Sequence, residues 1–131
     1  MGAKDNQPGK FFTPMVGKIS ALRLVHISGK VGCSRHDSSR WGCEDSSYLY
    51  ILITDDQNSV VFPENYKGQS PYTLPGFTSN SPELLFTFSI PLEVTADQEY
   101  RVWYSEDLFS LSESDNYPEE NCMRVIVIYS I

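Results

Sequence analysis

The chain has 131 residues, with ten Lys or Arg against seventeen Asp or Glu, for a net charge of −7. One domain fits that length, and a domain of this size buries roughly two-thirds of the surface its unfolded chain exposes. Residues 1–92 hold eight acids and eight bases. Residues 93–131 hold nine acids (Glu93, Asp97, Glu99, Glu106, Asp107, Glu113, Asp115, Glu119 and Glu120) against Arg101 and Arg124. The excess negative charge therefore sits in the last third, where it repels phosphate backbones and argues against nucleic acid as a partner. No run approaches the roughly 18 apolar residues of a membrane-spanning helix.

In chain order, Met1 to Lys10 lacks an apolar stretch and does not read as a signal peptide. Residues 1–14 are expected to form a flexible tail ahead of one domain over residues 15–131. Residues 19–31 are rich in β-branched residues. Leu22 and Leu24 share one side, while Val25 and Ile27 share the other with Arg23, which reads as a strand covered on both faces. Residues 33–47 form a Ser-rich charged loop around Trp41. Residues 48–54 give the clearest strand, and the turn over 55–58 with return at 60–62 marks a hairpin. Four prolines and two glycines within residues 63–82 exclude a helix there.

Strands are expected over 83–90, before a bend at Pro91, then over 99–104 and 124–129. Trp103, in the middle of its strand, is expected in the core. No window shows sustained helical periodicity. The expected fold is all-β, a single antiparallel β-sandwich of jelly-roll-like form.

Cys33 and Cys43 enclose a polar loop within GCSRHDSSRWGC, and the expected disulfide joins them; a bridge from either to Cys122, or three reduced and buried cysteines, are the alternatives. Cys122 is left free, buried, or available to another chain. That bridge points to an extracellular location, secreted or on the cell surface.

The acidic segment after the strand at 99–104 places Glu106, Asp107, Glu113, Asp115 and Asn116 within eleven residues. Calcium takes six to eight oxygen ligands in a flexible geometry, and such a loop suits it, although the spacing is not that of an EF-hand. Leu108, Phe109 and Leu111 would pin the loop and bring its acidic ends together. The alternative is a solvated acidic loop. Asp55, Asp56 and Asn58 read as turn residues, because Asp and Asn bond their own backbone there.

A second constellation suits carbohydrate: Arg40 and Trp41 beside His36 and Asp37, with Tyr117 in the acidic loop. Aromatic faces stack on sugars while polar side chains bond hydroxyls. Trp41 can equally plug one end of the sandwich. His26 lies in a strand and reads as a packed or hydrogen-bonded histidine. Catalysis is not expected, since two histidines without a nucleophilic triad, a phosphate loop or a zinc motif give no reaction centre.

The stretch Tyr100 to Leu108, then Ser112-Glu113-Ser114-Asp115-Asn116, then Cys122 and the strand Val125 to Tyr129, resembles the C-terminal part of secreted modules of marine invertebrates. The resemblance spans about a quarter of the chain. It implies a lectin-like, adhesive or matrix role and lays weight on Glu106, Asp107, Glu113, Asp115, Asn116 and Cys122. The chain departs from that pattern at Tyr117-Pro118-Glu119-Glu120, where a shorter turn containing glycine is expected. The expected function is a calcium-assisted extracellular binding module. Its partner is a glycan or an extracellular protein. The alternative is a structural matrix or oligomerisation domain linked through Cys122.

Overall fold

The computed structural model describes residues 1–2, 8–33, 37–64, 66, 71–108 and 120–131, with the backbone alone for Glu106 and Asp107. In chain order the elements are β1 (Gly9–Phe12), β2 (Gly17–Ser28), β3 (Val31–Gly32), β4 (Ser38–Ser39), β5 (Tyr48–Leu49) and β6 (Ile51–Asp55). They continue with β7 (Val60–Phe62), β8 (Tyr72–Thr73), β9 (Glu83–Val94), β10 (Glu99–Tyr104), the one-turn helix α1 (Ser105–Leu108) and β11 (Cys122–Tyr129). The fold is all-β. One sheet runs β1-β10-β6-β7 and the other β11-β2-β9, with small ribbons β3-β4 and β5-β8 beside them. Every pairing is antiparallel.

The two larger sheets bury a shared core. Ile19, Leu22, Leu24, Leu84 and Phe86 come from one sheet, and Ile51, Ile53, Phe62, Tyr100 and Val102 from the other. Phe62 and Phe86 stack across the interface at 4.2 Å between ring centroids. Alternation alone cannot place Ile19 on the same side as Leu22 and Leu24, because the side-chain period in a strand is two. A register shift between Ile19 and Ala21 supplies the missing half-period. On β9 the same irregularity falls between Thr87, opposite Ala21, and Leu92, opposite Ile19. Pro91 therefore sits where no ladder hydrogen bond is required, and the strand runs through it to Val94 instead of ending at a bend.

Four expectations change in detail. Residues 8–14 are not a loose tail: β1 pairs with β10 from Gly9↔Val102 to Phe12↔Glu99, and Thr13 is buried. The reason is the open edge of β10, whose unpaired backbone groups β1 satisfies. Strand β2 is not covered on both faces, for Arg23 and Ile27 on its outer side are exposed. Trp103 is buried but alternates to the face opposite the core, beside Leu52, and its Nε1 donates to Thr54 Oγ1 at 3.1 Å. The strand expected over 48–54 is interrupted at Tyr50, which separates β5 from β6. That interruption helps to build the end of the sandwich described next.

Candidate functional site

One end of the sandwich gathers the Cys33–Cys43 loop, the turn after β2, the loop before β9 and both ends of the acidic segment. The Cys33–Cys43 disulfide closes the β3-β4 ribbon, with the Cα atoms 4.9 Å apart. Gly42 is required because a Cβ there would meet the Tyr48 carbonyl oxygen at 2.7 Å. Ser39 Oγ fixes the same turn, accepting from Gly42 N and donating to Gly42 O.

Trp41 is wholly buried. Its backbone N–H donates to Ser79 O, its carbonyl accepts from Tyr50 N, and its Nε1 donates to Ser81 O at 2.7 Å. The ring meets His26 edge-on at 5.9 Å. The expectation of a sugar-stacking face on Trp41 is therefore corrected. A large apolar ring with one polar N–H gains more from burial and a bonded carbonyl than from a solvent-exposed platform. Trp41 plugs this end of the sandwich.

Arg40 points elsewhere. Its backbone N donates to Asn80 Oδ1 at 3.2 Å, and its Nη1 donates to Asn80 O at 3.0 Å. With His26, Gly29, Lys30 and Asn80 it lines an open cavity of about 380 Å³. His26 Nε2 lies 2.8 Å from Gly29 O. A carbonyl only accepts, so Nε2 carries the proton of that bond. Gly29 has φ of 81° and no room for a side chain, as a Cβ would fall 1.9 Å from Glu120 O. The turn after β2 thus passes directly under the backbone that ends the acidic segment.

Both ends of that segment are tied to the Trp41 region. Ser105, at the start of α1, donates its N–H to Tyr50 O, and Tyr50 N donates to Trp41 O. Tyr104, just before, is buried, stacks on Tyr50 at 5.7 Å and lies with its hydroxyl 3.6 Å from Cys33 Sγ. At the other end, Asn121 Nδ2 donates to Arg40 O at 2.6 Å, and Asn121 N donates to Met1 O. Two buried oxygens, Ser105 Oγ and Asn121 Oδ1, have no hydrogen-bond partner among the described residues. They bracket residues 106–120.

Glu106 and Asp107 fall in α1, but their side chains lie outside the described residues, as do Glu113, Asp115, Asn116 and Tyr117. His36 lies outside them too. Among the described residues no group of three His, Cys, Asp or Glu side chains is placed to hold a metal. Asp37 is exposed, and its carbonyl accepts from Cys33 N. Asp55 is a turn residue, its Oδ1 accepting from Gln57 N and Ser59 N, with Asn58 at φ of 61°. Of the carbohydrate constellation read from sequence, Arg40 lines the cavity. His26 and Lys30, around the turn after β2, and Asn80, from the loop before β9, join it there. Cys122 is a free, exposed thiol at the start of β11, an edge strand of its sheet.

No family model matches the sequence, and no curated protein matches it. Among solved structures, the chain is similar to AJLec from the sea anemone Anthopleura japonica. The two are 29% identical over 98% of this chain and 90% of that chain, with a TM-score of 0.82. A sea anemone is a marine invertebrate, in keeping with the source of the modules that the C-terminal stretch resembles.

Proposed function

We propose that this protein is an extracellular, non-catalytic carbohydrate-binding module of lectin type. In this reading the loop end beside Arg40 and Asn80 meets the glycan and calcium assists. The observation that carries the reading is the whole-chain likeness to AJLec, whose name reads as that of a lectin. Two further features support it. The cavity of about 380 Å³ falls in the usual range for small-ligand sites. The Cys33–Cys43 bridge belongs to a protein that matures in an oxidising compartment.

For calcium, the residues that fit are Glu106, Asp107, Glu113, Asp115 and Asn116, a set of hard oxygen donors of the kind the ion prefers. The unpartnered Ser105 Oγ and Asn121 Oδ1 at the two ends of the segment are consistent with an oxygen-rich site between them. Bound there, the ion would supply a positive centre toward which sugar hydroxyls turn their lone pairs. Arg40 and Asn80 would hold hydroxyls from the cavity side.

A glycan array probed with calcium and again with EDTA tests this reading. Binding that EDTA abolishes supports both parts, and binding indifferent to EDTA removes calcium and leaves the lectin. An empty array in both conditions refutes the function. Thermal unfolding isolates the ion: calcium at a hundredfold excess over its dissociation constant should add about 2.7 kcal/mol, a rise on the order of 5–15 °C. The exposed Cys122 favours one other reading, a module joined to a second chain by a disulfide. Non-reducing electrophoresis of the wild type and of Cys122→Ser would reveal it.

A further inference from the structure

We infer that the cavity beneath Gly29 takes the charged group of an anionic sugar, a carboxylate or a sulfate ester, held by Lys30 and Arg40. This deepens the carbohydrate reading and rests on it. The first observation is charge left unpaired in an acidic protein. Three of the other cations in the described residues have carboxylate partners: Lys18 with Glu93 at 3.8 Å, Arg23 with Glu83 at 3.1 Å, and Arg101 with Glu99 at 2.7 Å. Lys30 and Arg40, like Lys10 and Arg124, have none among the described residues, but Lys30 and Arg40 line one cavity together. In a chain of net charge −7, a concave spot with two uncompensated cations is where an anion is drawn.

The second observation is the excess of donors over acceptors. Arg40 spends only Nη1 on Asn80 O, and that bond fixes the guanidinium plane while its other N–H groups stay available. Asn80 Oδ1 is used by Arg40 N, so its Nδ2 is left to donate. The Lys30 ammonium adds three donors. The acceptors identified on the wall, Gly29 O, Asn80 O and Asn80 Oδ1, already accept from His26 and Arg40. Each hydroxyl of a neutral sugar brings a donor along with its two acceptor lone pairs, and that hydrogen would meet no unengaged acceptor among these groups. An oxyanion brings acceptors only, and a guanidinium binds it through two parallel bonds. A polyanion such as nucleic acid is disfavoured by the acidic last third of the chain.

The test follows backbone amides of Lys30, Arg40 and Asn80 by nuclear magnetic resonance. Glucuronic acid, glucose 6-sulfate, glucose and inorganic sulfate are titrated separately. The charged sugars should shift these amides and bind at least tenfold more tightly than glucose. Lys30→Gln and Arg40→Gln should each lower that ratio severalfold. Lys30→Gln is the cleaner variant, because the Lys30 ammonium holds no other part of the fold among the described residues, whereas Arg40 braces Asn80.

Silent amides with both charged sugars would overturn the proposal. So would inorganic sulfate binding as tightly as glucose 6-sulfate, since the sugar would then contribute nothing. Glycan binding on the array with silent amides would overturn the proposal and leave the lectin reading standing. An array empty of neutral glycans, with charged sugars docking at these amides, would support it and narrow the lectin reading to acidic glycans.

Discussion

Replacing both Cys33 and Cys43 by serine tests how the binding end is held together. The bridge closes a loop with a sequence separation of 10. The chain-entropy relation for a loop of that length gives about 2.7 kcal/mol at 25 °C. Unfolding entropy near 2.1 cal/mol/K per residue then converts this to a fall of about 10 °C in melting temperature for a chain of 131 residues. The effect should reach further than the loop. Arg40 and Trp41 lie inside it, and they anchor Asn121 and, through Tyr50, Ser105. Opening the loop therefore loosens both ends of the acidic segment while β2, β9 and β11, which hold no part of it, remain paired. Circular dichroism melts of the double variant measure the stability, and the far-ultraviolet spectrum at 20 °C reports the sheets. Glycan binding should weaken at temperatures where the sheet signal is still intact. A melting temperature within about 3 °C of wild type would refute the loop-entropy argument. Unchanged binding would refute the claim that the loop positions the site.

Three other perturbations have defined outcomes. Trp41→Ala should cost about 3–5 kcal/mol in a denaturant titration, as a buried aromatic leaves a cavity, and it also strands the Ser81 carbonyl. A loss under 1 kcal/mol would mean that the ring is not packed as described. Gly29→Ala should be destabilising and should shift the amides of Glu120 and Asn121, because the added Cβ would lie 1.9 Å from Glu120 O at a φ of 81°. A variant as stable as wild type would contradict that contact. Burial pushes the Tyr72 hydroxyl well above the ordinary tyrosine value, with Tyr66 nearby adding to it, and the hydroxyl donates to Ile51 O. A raised folded-state value means that the unfolded chain ionises first. Its stabilisation is thus complete below about pH 10 and is lost as pH rises from there through the folded-state value. Melts from pH 8 to 11 should show that decline, with a shallower slope for Tyr72→Phe; equal slopes would refute the assignment.

Much of the fold was legible in the chain itself. Alternating or continuous apolar runs marked β2, β6, β9, β10 and β11, because a strand buries every second side chain and the core selects those positions. The Asp55 and Asn58 turn and the Cys33–Cys43 bridge were likewise local, set by side chains that bond their own backbone and by a short polar loop between two cysteines. Strand β1 was not legible. Four residues with little alternation read as a tail, and only the open edge of β10 makes them a strand. Trp41 could not be assigned from sequence either, since an aromatic in a loop suits a platform or a plug equally well. The carbonyls of Ser79 and Ser81, nearly forty residues away, decided it. The cavity shows the same division most clearly. Sequence determined which residues carry charge, while the pairing of β2 with its neighbours and the crossing of the 79–82 loop decided that Lys30 and Arg40 should share one concave surface. A strand pattern reports the burial of each residue, but the meeting of distant loops is fixed only when the sheets close on each other.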